Sequence, residues 1–472
     1  MRLALTRCFV AAVVFVAGAY YAYAQKSVSK AAKLNDEAIE YLRKENFDQT
    51  VATLTKAIQA DPKYAESYFN MGFAYYCMNK YDDADKWYRK TITIDSNYAD
   101  AYVNIGLLYN HKKQYDECIK WCRVALAKDS SLSNAYANMG VAYTGMGRRQ
   151  EAVECYQKSL SMDTASVVVY ANLGNLYNEM GKYREGIACL KKAVELYPQY
   201  ASAIYSIGLA YAKLGMPEDA IKYYRKAIDT DARLITAYND IGSAYASMME
   251  YGKAVEYFMQ SVNKAPKYAD AYHNMGMLYY ERHKYDSAAF WFKRATYIDP
   301  DNAQSYYACG IANYMLGNRK EAMDWYEKTV KVNPRHATAF NSMGYMYYED
   351  KAYEKAIEKY NKAIEVSPKY VDAYSNRGNA YLRMKKYSAA IGDYGEAVRM
   401  DPKRADSHYS LGVAYYLAGK KREAIGELEK AVQLKPDYVD ALHNLSVIYD
   451  ELGEKAKAQA YRDKADSAEF GN

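Results

Sequence analysis

Histidine is scarce in this 472-residue chain, and the six present (His111, His273, His283, His336, His408 and His443) fall at no zinc-ligand or triad spacing. A glycine-rich phosphate loop is also missing, because the recurring glycines sit inside helical patterns. Carboxylates are scattered over solvated faces with no pair set apart. Catalysis needs a convergent nucleophile, base and orienting group. None is marked, so the chain reads as a non-enzyme with no cofactor and no metal. A polybasic run is absent too. The formal charge is +6 and falls to +4 without Arg2 and Arg7, which leaves nucleic-acid binding without its electrostatic footprint.

Cysteine makes no disulfide framework. Beyond Cys8 there are six others, five of them predicted at core or near-core helix positions, as small hydrophobes. Cys118 and Cys122 lie one helical turn apart but have no third ligand at metal spacing, so they read as packing residues. Cys155 and Cys189 occupy equivalent places 34 residues apart, too far separated by helix packing to bridge.

What the chain does have is a period. Glycine falls at 72, 106, 140, 174, 208, 242, 276, 310, 344, 378 and 412, and Ala38 and Ser446 extend that ladder by one step at each end. A 34-residue period means stacked helix-turn-helix units, thirteen of them, starting at 31, 65, 99, 133, 167, 201, 235, 269, 303, 337, 371, 405 and 439. Numbered within a repeat, position 4 is usually Tyr (Tyr68, Tyr102, Tyr272) and position 7 aliphatic or Met (Met71, Ile105, Leu411). Position 11 is Tyr from Tyr41 to Tyr449, Asn313 excepted. Positions 4, 7, 8 and 11 share one helix face and form a buried stripe. Position 20 is mostly Ala, position 24 bulky (Tyr88, Phe258, Tyr360) and position 27 small. Glycine inside a helix costs roughly 0.5–1 kcal/mol against Ala. Its retention at position 8 predicts a close helix contact with position 20 opposite. Pro at position 32 (Pro62, Pro198, Pro436) closes many repeats.

These positions resemble the tetratricopeptide repeat over residues 31–472. The resemblance implies an all-α, right-handed superhelical solenoid with the first helix of each repeat lining a concave groove. It also implies protein or peptide partners and no small-molecule cofactor. Glu37 at the first repeat, and Gln459 and Arg462 in the last, predict wettable terminal repeats and a complete array. Tyrosine, at 56 residues, is heavier than packing is expected to require.

Residues 1–24 differ in kind. Arg2 and Arg7 precede an uncharged run that ends in Ala22-Tyr23-Ala24, the plan of a cleaved signal peptide. The alternative is an uncleaved anchor. A short linker spans 25–30, and the protein is expected to be exported. By resemblance, secreted arrays of this family point to a bacterial periplasm or cell surface.

The candidate site lies opposite the buried stripe. Position 9 is apolar (Phe73, Val141, Leu209, Met277, Tyr345, Val447), either to receive a ligand or through burial between adjacent first helices. Position 6 carries Asn70, Asn104, Asn138, Asn172, Asn274, Asn376 and Asn444. Asn is a mediocre helix former, and its amide can pair with a peptide backbone; the alternative is that it bridges neighbouring helices. The row resembles the asparagine ladder in the repeats of O-GlcNAc transferases, which implies an extended peptide held along the groove. A carboxylate clamp would also need clustered Lys and Arg, whereas Lys213 and Arg383 stand isolated at position 13. Later repeats add Tyr280, Tyr314, Tyr348 and Tyr416 at position 12, Tyr307 and Tyr409 at position 5, and Tyr345 at position 9. Tyrosine offers large contact area with a polar tip. Read together, the rows predict an amide-rich N-terminal groove and an aromatic C-terminal one. A cell-envelope glycan binder, and an assembly factor using its ends or convex face, are the other readings.

Overall fold

The computed structural model describes residues 29–470. The signal peptide assigned to 1–24 and most of the 25–30 linker lie outside them. Among the described residues there are twenty-six α-helices, from Lys30–Arg43 to Lys455–Phe470, and no strand. First helices such as Ala65–Cys77 and Ala99–His111 alternate with second helices such as Tyr81–Ile94 and Tyr115–Lys128. The array forms two bodies, one ending at Glu250 and the other beginning at Tyr251. Each is a stack of helix pairs in which every helix packs on the next.

Two kinds of turn set this alternation. First helices end on a left-handed residue at position 15, either glycine (Gly147, Gly215 and Gly419, φ +71 to +76) or another residue (Asn79, Lys113 and Lys385, φ +58 to +59). The following N–H then reaches back to the position 11 carbonyl, as from Lys80 to Tyr75 and from Lys386 to Tyr381. That is the Schellman closure, which satisfies orphan carbonyls. Many second helices end instead on an extended Asp whose carboxylate accepts the N–H two residues on. Asp95 takes Asn97 at 2.9 Å and Asp129 takes Ser131 at 2.8 Å. This Asx turn redirects the chain into the next repeat. It was not read from the sequence, where attention fell on the proline that follows.

The core repeats with the same period. Ala84, Ala152, Ala220 and Ala424 at position 20 are fully buried, as are Met71, Ile105, Ile207 and Leu445 at position 7. Glycine at position 8 does more than meet position 20. In the first body the Tyr88 ring lies against Gly72, and in the second Tyr360 lies against Gly344; an added Cβ would sit 2.7 and 2.6 Å from ring carbons. The bulky residue of position 24 is thus stacked directly on the glycine backbone rather than filling space around it.

Candidate interaction surface

Tyrosine hydroxyls link helix to helix, which accounts for much of the tyrosine excess. At position 4, Tyr68, Tyr102 and Tyr272 donate to the carbonyls of Pro62, Ser96 and Pro266 at 3.1–3.2 Å. At position 11, Tyr109, Tyr211 and Tyr245 receive hydrogen bonds from Arg89, Lys191 and Arg225 of the preceding repeat at 3.2, 3.1 and 2.8 Å. Phenylalanine could do neither, so the expectation of a surplus beyond structural need is corrected for these positions.

The asparagine row also bridges repeats. Asn70 Nδ2 donates to Asn35 Oδ1 at 3.0 Å and Asn376 Nδ2 to Asn341 Oδ1 at 3.0 Å. Asn138 reaches the Val103 carbonyl (3.4 Å), and Asn444 reaches the Tyr409 hydroxyl (3.3 Å). In each case position 6 meets position 5 of the preceding first helix. Asn104, Asn172 and Asn274 are half-buried in the same row. Asn70 is only 4% exposed, so its amide is spent between helices. Position 12 amides reinforce the seam in the first body, where Asn110 Nδ2 donates to the Asn138 carbonyl at 2.9 Å.

In the second body the tyrosines occupy three settings. Tyr307 and Tyr409, at position 5, lie in the seam, Tyr307 against the Ser342 hydroxyl at 3.2 Å and Tyr409 tilted against the Tyr438 ring. Tyr280 and Tyr348 at position 12 lean on Tyr285 and Tyr353 of their own repeats, and burial raises both phenol pKa values. Tyr314 and Tyr416, also at position 12, donate to carboxylates at position 13 of the next repeat, Glu349 (2.9 Å) and Glu451 (2.8 Å). Each carboxylate also meets a cation at position 17 of the same preceding repeat, Arg319 at 2.7 Å and Lys421 at 3.0 Å. Burial and the Glu349 bond push the Tyr314 phenol up to about 12. Burial opposes the charge on Glu349, but Arg319 and Tyr314 outweigh it and hold that carboxyl below its usual range.

Position 9 is the open row. Val141 and Leu209 in the first body, and Met277, Tyr345 and Val447 in the second, are each between 36% and 47% exposed. Tyr345, at 43%, stands edge-on to Tyr314 with ring centroids 6.5 Å apart. Phe73, Leu107, Ile311 and Val413 are half-buried in the same row. The six cysteines from Cys77 to Cys309 are free thiols, with Cys118 and Cys122 fully buried.

One feature of the second body escaped sequence reasoning. Arg377 takes position 7, otherwise apolar in the internal repeats, and Asp393 takes position 23, where Trp87 and Trp121 stand elsewhere. They form a two-pronged ion pair at 2.6 and 2.8 Å, with side chains 18% and 9% exposed. The signal was legible as a paired departure from the pattern, two charges of opposite sign 16 residues apart.

An all-α array of helix-turn-helix pairs, with no metal-holding cluster among the described residues, defines a repeat protein with an extended side-chain face. Tetratricopeptide repeat models match residues 53–86, 97–165, 166–233, 235–268, 375–439 and 439–471, and TPR repeat models match 276–317 and 344–385. The chain belongs to the tetratricopeptide repeat family. Among solved structures it is similar to the APC/C hetero-tetramer Cut9–Hcn1 at 14% identity, over 89% of this chain and 96% of that one, with a TM-score of 0.41. It is similar to yeast Tom70 at 13% identity, over 93% and 96%, with a TM-score of 0.40. MamA is 25% identical over 34% of this chain and 95% of its own, with a TM-score of 0.31. No curated protein sequence matches the chain.

Proposed function

We propose that this protein is a non-catalytic scaffold that holds an extended segment of a partner protein along its first-helix face. The observation that carries the reading is the position 9 row, where apolar side chains stand open to solvent at multiples of 34 residues, Val141 and Leu209 in the first body and Met277, Tyr345 and Val447 in the second, beside rows tied up in hydrogen bonds. Regularly spaced apolar anchors with polar neighbours suit recognition of a chain. Tyr345, with Tyr314 and Tyr348 beside it in sequence register, supplies the aromatic part of that face. The asparagines act chiefly by fixing the spacing of neighbouring first helices, and those with half-buried amides remain able to meet a bound backbone. Export by cleavage after Ala24 belongs to the same proposal and rests on Arg2, Arg7 and the Ala22-Tyr23-Ala24 ending.

Crosslinking in the native cell, followed by identification of the captured chains, tests this reading. Capture that survives Tyr345→Ala, Met277→Ala and Val447→Ala together would show that the partner docks elsewhere. Mass analysis of the mature N-terminus tests the cleavage.

A further inference from the structure

We propose that two consecutive inner turns of the second body, at 383–388 and 417–422, form a docking surface for an acidic segment of a partner protein. The inference goes beyond the first-helix face and does not depend on it. Six cations gather on these turns: Arg383, Lys385, Lys386, Lys420, Lys421 and Arg422, all exposed except the half-buried Lys421. The two turns adjoin, because a cleft of about 530 Å³ lies between Tyr387–Ala389 on one side and Ala418 on the other, with Lys385 and Lys386 at its wall.

The charge there is largely uncompensated. Lys421 is held by Glu451 at 3.0 Å, Lys420 stands over the Tyr415 ring, and Arg383 lies near the phenols of Tyr353 and Tyr348. Among the described residues no carboxylate forms an ion pair with Lys385, Lys386 or Arg422. Some inner-turn cations elsewhere are answered, Lys112 by Asp82 at 2.8 Å, Arg148 by Glu151 at 2.8 Å, and Arg319 by both Glu349 and Asp350, while others such as Lys113 and Lys182 are not. What sets these two turns apart is that six cations fall on successive turns. The helix Tyr387–Met400 adds to the imbalance, since its first turn carries no acidic residue where Tyr115–Lys128 has two. Glu423 is the one carboxylate in the first turn of the adjoining helix Lys421–Leu434. A net positive, partly concave surface attracts carboxylate or phosphate groups and steers their approach.

The scarcity of exposed apolar side chains around these cations favours a peptide over a bilayer. Membrane-surface sites present an apolar stripe beneath the cations, and here Leu417 alone is exposed beside them.

The test uses the full chain and three fluorescent peptides of one length, in which glycine alternates with glutamate, phosphoserine or glutamine. Fluorescence anisotropy is expected to show binding of both anionic peptides, weakened by added salt, and none of the glutamine peptide. The K385E/K386E/R422E variant should weaken binding at least roughly tenfold, while K113E/K182E, which reverses inner-turn lysines of the first body, should not. The reversals at Lys386 and Arg422 place acids at helix N-termini, where they are tolerated, while Lys385 follows a helix C-terminus; if that variant fails to fold, K385Q/K386Q/R422Q replaces it. The proposal is overturned by absent peptide binding, by an equal loss in K113E/K182E, or by vesicles with anionic lipid or an RNA homopolymer displacing the peptide. Self-association of the chain that K385E/K386E/R422E dissolves would also overturn it.

Discussion

The Tyr360 ring lies flat on Gly344, so close that a single added carbon would meet ring atoms at 2.6 Å. The tyrosine is 1% exposed and cannot swing away into solvent. Gly344→Ala should therefore lower stability by about 1–3 kcal/mol through overpacking, outweighing the helix propensity gained. Gly392, also inside a helix, has nothing within 4 Å of an added Cβ. Gly392→Ala should instead raise stability by roughly 0.5–1 kcal/mol. Thermal unfolding of the two variants checks both signs, and a shift in the same direction for both would refute the ring-on-glycine account.

The Arg377–Asp393 pair predicts an asymmetry. Removing one partner leaves a half-buried charge without its mate, so Asp393→Ala should cost about 3 kcal/mol. Replacing both, as Arg377→Met with Asp393→Trp, restores the residue types of positions 7 and 23 in the repeat starting at residue 65 and should recover most of that loss. A double variant no more stable than Asp393→Ala in denaturant titration would mean that the pair is needed for itself.

The hydroxyl of Tyr245 accepts from Arg225 at 2.8 Å across neighbouring repeats. Tyr245→Phe keeps the ring and should cost about 0.5–1.5 kcal/mol. An Arg225→Ala, Tyr245→Phe double-mutant cycle separates this bond from the packing of the ring.

Acidification should loosen the second body at the Tyr314–Glu349–Arg319 contact. Arg319 and Tyr314 hold the Glu349 carboxyl below its ordinary value of 4.5. A depressed carboxyl contributes stability that is complete above the unfolded pKa and is lost as pH falls through the folded one. The melting temperature should thus decline from about pH 4.5 downward, and Glu349→Gln should flatten part of that decline. An unchanged acid limb in the variant would show that the contact contributes nothing measurable.

Fold and site were unequally legible in the sequence. The period fixed helix count and pairing because position 8 tolerates only glycine against a ring, and position 20 little beyond alanine. Those demands recur in most copies and so show up as a ladder. The asparagines recur too, but recurrence alone cannot separate a ligand contact from a contact with the next repeat, since both are periodic. Asn70 and Asn376 belong to the second kind in the structure. Arg377 and Asp393 were obscured for the opposite reason. They occur once, and a single departure from a period looks like drift until its mate is found across the helix pair. For Tyr345 the sequence left exposure and burial between first helices equally open, and the structure leaves it 43% exposed.

The cross-repeat hydrogen bonds join residues whose numbers differ by constant amounts, 35 from position 6 to position 5 and from position 12 to position 13, and 20 from position 25 to position 11. A gene rearrangement that deletes or duplicates a whole number of repeats keeps each donor position opposite the same repeat position, whatever residue stands there. One that changes length by any other amount strands a whole row at once. Array length is therefore open to change by unequal recombination without repair of the core, whereas the phase of the array is not. Variation between lineages should be found in how many repeats are present and in what the position 9 row displays.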